Sequence, residues 1–437
     1  MNDLLQPWQP TAADPFDLPK VGHLLRRAGF AASLPQRREL QRRGLDAALA
    51  CVAPADVPVG DPAELDAVLA VSDLERLRAY RVWLAQASPQ QFGVRLSYFW
   101  HGHFATSDQK LRDPRAMAYQ HATFDRLGAA RFDELLAAMC RDPALLRWLD
   151  NDANRRGAPN ENFARELFEL FALGRGHYDE REVQTAARCF TGWHVRDGRF
   201  HFTAHLHDAG DKELFGRRGP LGGDDVVAAV VEREASATFL ARKWLAFFVH
   251  PEPSEPEVEA LAAVYLAADR HVGRTLRTLL QSRLFFSPRA RACKVKSPAD
   301  FVIGTVRLLG GRAAPRALAT TMQALGESWL EPPSVEGWHG ERAWLSPAAW
   351  LLRSNFVADL LAGRLGDFAP RPGSLCQGLH QPAELAKAAS LWLLDGTASR
   401  DELEAIAAAA AAAGADHDAA VAAALHAAAC TPGYQLL

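Results

Sequence analysis

Apolar residues recur every three to four positions through most of the 437-residue chain, which is the spacing of amphipathic helices. The connections between these segments are short, and Ser297 with Asp300 and Ser399 with Glu402 resemble N-cap arrangements. The pattern predicts helices over residues 19–29, 35–51, 72–86, 89–101, 113–127, 131–140, 143–149, 160–173, 179–190, 224–233, 235–248, 255–268, 272–281, 298–309, 315–325, 347–362, 383–394, 400–413 and 417–429. We therefore expect a mainly α, compact, single-domain body over 1–437, with a C-terminal helical portion, 376–437, packed on it.

One segment departs from the helical spacing. Residues 194–207 are predicted to form a small β-hairpin around Asp197-Gly198, a dipeptide typical of two-residue turns. Alternation along the strands would then separate two faces. One face would carry Phe200, Phe202 and Leu206, and the other His201, Thr203, His205 and His207.

Charge and composition narrow the classes of partner. The 49 basic and 52 acidic residues give a net charge of −3, so we expect no nucleic-acid partner. No apolar run reaches the roughly 18 residues of a membrane span, and the six cysteines lack zinc-site spacing and are expected to be free, buried thiols. The first 18 residues carry three acids and no basic residue, unlike a signal peptide, which predicts a cytoplasmic protein.

Lysine is rare in this chain. Only seven of the 49 basic residues are lysines, at positions 20, 110, 212, 243, 294, 296 and 387. Arginine replaces lysine freely on a solvated surface, so a retained lysine more often needs its compact ammonium group.

His101 and His103 flank Gly102 in the aromatic run 99–104. Two histidines at this spacing point to opposite sides of a continuous helix, but Gly102 can end the helix and let both imidazoles converge. Converging imidazoles suit a metal ion or general-base chemistry. The alternative is a pair of helix-end histidines that bond nearby carbonyl groups.

A second polar block covers residues 160–166. Asn160 is a good N-cap, and Glu161 and Arg165 are spaced for an ordinary ion pair on the outer face of the helix. Asn162 and Glu166 lie at the edge of the apolar face. A carboxylate there is either buried and paired or faces a pocket.

The end of the predicted hairpin forms a third block. His205 and His207 would share one strand face, with Asp208 bent in where the strand ends and Lys212 nearby. Such a set could bind one metal ion. The alternative is a group of polar residues on the solvated face of a hairpin.

A fourth block places Lys294 and Lys296 on an extended segment directly before the helix that begins at Pro298. Two ammonium groups and the backbone N–H groups of a helix N-terminus could bind phosphate, sulfate or a carboxylate; the alternative is a solvated basic pair.

A fifth block is the loop around Trp338. Its tryptophan could stack on a sugar or planar ligand, or it could cover the end of a helical core.

Together, these blocks resemble the bacterial family known as domain of unknown function 1800, over essentially the whole chain. The most specific stretches are Phe99-Trp100-His101-Gly102-His103-Phe104, Pro159-Asn160-Glu161-Asn162-Phe163-Ala164-Arg165-Glu166, Phe190-Thr191-Gly192-Trp193, His207-Asp208, Lys294-Val295-Lys296-Ser297-Pro298, Pro332-Pro333 and Gly337-Trp338. The resemblance implies no particular reaction. It implies export for many members, and a neighbouring sulfatase-like or phosphatase-like protein as a partner. This chain shows no export signal of its own, so co-export with such a partner is the alternative to cytoplasmic residence.

The sequence supports three hypotheses. The first is an enzyme acting on an anionic substrate, with His101, His103, Glu166, Lys212 and Lys296 as catalytic residues. A divalent metal ion would be its cofactor, bound by His101, His103, Glu166, His207 and Asp208. The second is a non-catalytic partner or maturation factor of the sulfatase-like or phosphatase-like protein. The third is a sugar- or peptide-binding module built on the tryptophan loop.

Overall fold

A computed structural model of the chain describes residues 3–52, 73–338, 340–366 and 371–437. These residues form a mainly helical body, as the sequence predicts. Its α-helices are Leu18–Arg27, Leu34–Arg43, Leu45–Val52, Leu74–Ala87, Gln91–His103, Asp108–Leu111, Pro114–Leu127, Phe132–Cys140, Pro143–Trp148, Asn162–Glu166, Glu180–Cys189, Gly223–Glu232, Glu234–Phe248, Glu255–Ala267, Val272–Leu280, Pro298–Leu308, Pro315–Ala324, Pro347–Leu361, Pro372–Leu375, Pro382–Leu394, Arg400–Ala412 and His417–Ala429. Short 3₁₀ turns are Asp3–Leu5, Asn151–Ala153, Ala204–Leu206, Pro288–Ala290, Glu341–Leu345 and Gly433–Gln435.

The start signals act as their residue types predict. The hydroxyl of Ser297 accepts a hydrogen bond from the backbone N–H of Asp300 at 3.0 Å. The hydroxyl of Ser399 accepts from the N–H of Glu402 at 3.2 Å, and the Glu402 carboxylate accepts from the N–H of Ser399 at 2.8 Å. Both helices therefore begin with a capping box.

The β-structure consists of two small antiparallel hairpins in the described residues. In the first, β1 (Trp193–Arg196) pairs with β2 (Arg199–Phe202), and Asp197 and Gly198 both have positive φ in the turn, as a type I′ turn requires. In the second, β3 (Lys212–Leu214) pairs with β4 (Arg217–Gly219). This second hairpin was not predicted from the sequence.

The first hairpin is shorter than predicted. Its second strand ends at Phe202, and the chain then forms a 3₁₀ turn over Ala204–Leu206. The prediction that His205 and His207 share a strand face is therefore wrong, because neither residue lies on a strand.

The predicted helix 160–173 is not uniform. Its α-helical part is Asn162–Glu166, and Leu167–Ala172 is a π-helical turn. A π turn places one extra residue in the helix and shifts its hydrogen-bonding pattern, which is why such turns are often found at functional sites.

The apolar core has two main parts. One gathers buried side chains from Leu5 to Ala290, and the other joins Phe30, Val82 and their neighbours to side chains from Ala299 to Tyr434. The helices Pro382–Leu394, Arg400–Ala412 and His417–Ala429 pack on one another within this second part. The predicted boundary at residue 376 stays a prediction. Among the described helices, none has both the length and the apolar character to cross a bilayer, in agreement with the sequence analysis.

Candidate functional site

The helix Gln91–His103 continues through Gly102, so the two histidines diverge. His101 lies 1% exposed beneath the loop that contains Leu330, and His103 lies 4% exposed against the π turn. The prediction that Gly102 ends the helix and lets both imidazoles converge is wrong. Two positions along a continuous helix correspond to a rotation of about 200°.

His101 fixes a backbone segment. Its Nε2 accepts a hydrogen bond from the N–H of Leu330 at 2.9 Å, and Leu330 has φ of 72°, a conformation that a leucine rarely adopts. Burial lowers the pKa of His101 to about 3, so the ring remains a neutral acceptor. His121 packs on this ring with 4.5 Å between centroids, and Trp338 packs edge-on at 5.1 Å.

His103 forms a hydrogen bond with Lys243. Its Nε2 lies 3.0 Å from the carbonyl oxygen of Phe171, and its Nδ1 lies 3.3 Å from the Nζ of Lys243. Burial and the nearby Lys243 lower the pKa of His103 well below its ordinary value. The neutral ring therefore donates from Nε2–H to Phe171 and accepts from Lys243 at Nδ1.

The π turn supplies the other partner of Lys243. Its ammonium group donates to the carbonyl oxygen of Leu170 at 2.9 Å, and it lies 4.8 Å from the centroid of the Phe239 ring. Both hydrogen-bond partners are uncharged, and the described residues provide no carboxylate within ion-pair distance of Lys243. Burial lowers the pKa of Lys243 to about 8.

Acidic residues line the π turn. Glu169 accepts from Arg175 at 2.5 Å and from the hydroxyl of Tyr178 at 3.0 Å. Glu166 is half-buried, and burial together with the neighbouring Glu169 charge raises its pKa. Glu166 is thus the carboxyl group of this turn that binds a proton more readily than usual.

The charge of Glu336 acts on both Glu166 and Lys243. The Glu336 carboxylate lies 3.8 Å from Arg175, and its charge raises the pKa of both Glu166 and Lys243. The next residue, Gly337, has φ of 86°, and a Cβ atom there would lie 2.8 Å from the carbonyl oxygen of Gly102. A glycine at 337 is therefore needed to bring this loop against the histidine-bearing helix.

The polar residues before the π turn stabilise the local backbone. The Asn160 side chain accepts from the N–H of Asn162 at 3.0 Å, and the Asn162 side chain donates to the carbonyl of Leu149 at 3.2 Å. Arg165 forms the predicted pair with Glu161 at 3.0 Å and a second pair with Glu180 at 2.7 Å.

The block 207–212 forms its own network. Asp208 pairs with Arg188 at 2.7 Å, and the Nδ1 of His207 lies 2.8 Å from the carbonyl oxygen of Thr191. Lys212 is buried and donates to the carbonyl groups of Asp208, Gly210 and Leu221. All three ammonium protons of Lys212 are thus used inside the protein.

The two lysines of the fourth block separate. Lys294 donates to the carbonyl of Ala246 and lies 3.9 Å from Glu341, whereas Lys296 lies over the ring of Tyr434. Sharing one side of an extended segment does not bring two long, flexible side chains together.

The helix N-terminus beyond them is not available for an anion. Its first N–H donors already bond to Glu327 at Ala299 and to Ser297 at Asp300. The predicted site made of both ammonium groups and this N-terminus is therefore not the arrangement observed.

The predicted site residues thus occupy separate neighbourhoods. In the part of the chain that the structure describes, no group of three or more His, Cys, Asp or Glu side chains could hold a metal ion. The predicted ligand set of His101, His103, Glu166, His207 and Asp208 is accordingly distributed over several regions. His103 and Glu166 both lie at the π turn, and Trp338 covers His101.

The central residue of this neighbourhood is not among the site residues predicted from the sequence. Lys243 lies on Glu234–Phe248, where the apolar helical spacing hides it. Its one visible signal was that it is among the seven lysines of the chain. We call the group of His103, Glu166, Leu170, Lys243 and Glu336 the π-turn site.

The fold and the π-turn site define a mainly helical protein with a partly exposed lysine held against a π-helical turn. The family model described as "Protein of unknown function (DUF1800)" matches residues 23–436, so the chain belongs to this family. No curated protein and no solved structure matches the chain.

Proposed function

We propose that the chain is an enzyme whose Lys243 amine attacks the carbonyl carbon of a small substrate at the π-turn site. The observation that carries the proposal is the set of partners of Lys243, which are a neutral imidazole and a backbone carbonyl. The nucleophile is then a lysine in a largely desolvated position, which is one of the ways in which proteins activate an amine.

The two hydrogen bonds suit the neutral amine. A protonated lysine has three N–H donors, and these partners accept two of them. A neutral amine has two N–H donors and one lone pair. If both donors bond to His103 and Leu170, the lone pair is left for a substrate, and its direction is set by the two acceptors.

The lowered pKa of Lys243 agrees with this chemistry. A pKa of about 8 for Lys243 means that a substantial fraction of the amine is neutral slightly above neutral pH. Lys294 also has a pKa lowered to about 8, by burial first, but Glu341 lies 3.9 Å from its ammonium group. We therefore assign the reactive role to Lys243.

Glu166 is the candidate proton donor. When the amine adds to a carbonyl group, a nitrogen–carbon bond forms, and loss of the carbonyl oxygen as water gives an imine. That oxygen needs a proton to leave, and a carboxyl group with a raised pKa retains one more readily.

Trapping an imine tests the proposal. The protein would be incubated with pyruvate or with glycolaldehyde, which are an anionic and a neutral carbonyl compound of similar size, and reduced with borohydride. Peptide mass mapping should then find the adduct on Lys243, with half-maximal labelling near the pKa of about 8. A stronger adduct with pyruvate would support the predicted preference for anionic substrates.

Two variants serve as controls. Lys243→Met should lose the adduct, and Lys387→Met, which removes an exposed lysine, should retain it. An adduct pattern that is the same in all three proteins would contradict the proposal.

The non-catalytic partner and the sugar- or peptide-binding module stay predictions, testable by co-expression with the phosphatase-like neighbour and by a glycan array.

A further inference from the structure

A cavity of about 300 Å³ lies where the first helix, Leu18–Arg27, meets the helix Pro382–Leu394 and the end of the chain. This volume is at the lower end of the range for small-ligand pockets. Its walls combine apolar groups, including Pro19, Leu393 and Leu394, with a small set of charged side chains. It shares no lining residue with the π-turn site.

Lys296 is the unusual member of this lining. It is 2% exposed, and its Nζ lies 3.3 Å from the centroid of the Tyr434 ring. Within the described residues, the ammonium group has neither a hydrogen-bond acceptor nor a carboxylate at ion-pair distance. A buried cation without an anionic partner is strongly unfavourable unless something compensates its charge.

The carboxylate of the cavity is already used. Asp395 pairs with Arg26 at 2.6 Å and also contacts Arg37. Arg291, a half-buried cavity residue, forms no ion pair among the described side chains. Three side chains of the lining are basic, Arg26, Arg291 and Lys296, and one is acidic, Asp395.

His23 completes the polar lining but adds no charge. Its Nε2 lies 3.0 Å from the carbonyl oxygen of Phe285, and burial lowers its pKa well below the ordinary value. The side chains that line the cavity thus include more basic than acidic groups.

We propose that this cavity binds a small oxyanion, a phosphate, sulfate or carboxylate group, between Lys296 and Arg291. The anion would be the negatively charged partner of the protonated Lys296. The apolar walls would cover a short carbon chain attached to the anion. Cation–anion hydrogen bonds of this kind are about twice as strong as neutral ones.

The charge state of Lys296 gives the proposal a distinctive signature. Burial, Arg26 and Arg353 lower the pKa of Lys296 well below its ordinary value, while Asp300 and Asp395 oppose the shift. A bound anion favours the charged form of the lysine. Binding is therefore expected to take up a proton from solution.

Calorimetric titration of the full chain with sodium sulfate at constant ionic strength tests the proposal. Sulfate does not itself titrate near neutral pH, so repeating the titration in buffers of different ionisation enthalpy measures the proton uptake. Inorganic phosphate and butyrate form two further arms, which separate a phosphate-selective site from one that accepts a carboxylate with a carbon chain.

Three variants complete the experiment. Lys296→Met and Arg291→Gln should each weaken sulfate binding roughly tenfold to a hundredfold, because each removes a hydrogen bond between charged groups. Proton uptake should disappear in Lys296→Met. Lys387→Met, an exposed residue of the helix Pro382–Leu394, should bind as the unmodified chain does.

The half-exposed Arg291 makes the test robust, since Arg291→Gln should fold even if Lys296→Met does not. Equal binding in all four proteins would overturn the proposal, since it would show only the general effect of sulfate on protein stability. Absence of binding by all three anions would overturn it as well.

Discussion

Lys212 and Lys243 both donate to backbone carbonyl groups, but the two regions use their lysines differently. At the second hairpin, Lys212 donates to the carbonyls of Asp208, Gly210 and Leu221, so each ammonium proton has its own acceptor. At the π turn, Lys243 has one carbonyl and one imidazole nitrogen. All three N–H groups of Lys212 have an acceptor, whereas Lys243 has acceptors for two.

The difference separates a structural cation from a candidate reactive one. Lys212 closes a loop by bonding residues on both sides of it, and the nearby charge of Asp208 favours its protonated form. Lys243 has two uncharged acceptors, and burial lowers its pKa to about 8 although the charge of Glu336 opposes the shift. The number of acceptors distinguishes the two lysines, since Lys212 has three and Lys243 has two.

The largest expected change in the free energy of unfolding comes from replacing Lys212. Lys212→Met should lower the free energy of unfolding by about 3 kcal/mol, because each buried acceptor left without a donor costs about 1–3 kcal/mol. Urea unfolding measures this loss, with Lys387→Met as the exposed control. A loss below roughly 1 kcal/mol would mean that Lys212 does not stabilise the hairpin, and the comparison would fail.

A glycine pair tests the loop that brings Glu336 to Lys243. Gly337→Ala should lower the free energy of unfolding by about 2 kcal/mol, since a left-handed conformation costs about 1–2 kcal/mol and its Cβ would lie 2.8 Å from the Gly102 oxygen. Gly157→Ala is the matched control, because Gly157 has a similar φ of 84° and no neighbour within 4 Å. Equal losses in thermal unfolding would show that the close approach of the loop has no energetic consequence.

The smallest expected effect is that of Lys243→Met at pH 7, a change of about 1 kcal/mol or less. Removing the side chain loses two hydrogen bonds but also relieves a desolvated charge. Because the unfolded chain keeps the lysine proton up to about pH 10.4, the unmodified protein should gain stability relative to the variant from about pH 8 upwards. Unfolding curves between pH 7 and 10 check the sign, and a difference that does not change with pH would contradict the lowered pKa.

The helical character of the chain could be predicted from its sequence because apolar spacing reports directly on helical faces. The π turn at Leu167–Ala172 could not, since an almost wholly apolar segment of this length is equally compatible with a buried α-helix. The hairpin β3–β4 was missed because its strands have three residues each, which is too short for a visible alternation.

The candidate site was predictable in its residue types but not in its pairings. His103 and Glu166 stood out as polar groups beside apolar faces, and both lie at the π turn. The partners of His101 and His103, however, are 229 and 140 positions away along the chain. No local pattern carries such pairings, which is why the metal set joined residues from different regions.

The spacing of the two histidines has a consequence for the length of the chain. His101 and His103 fix the Leu330 segment and the π turn on opposite sides of one helical turn, so the distance between these two segments depends on the count of residues between them. An added residue at position 102 would rotate His103 by about 100° and detach Lys243 from its imidazole. Natural insertions in this protein family are therefore expected in the connections between helices and not within this tripeptide.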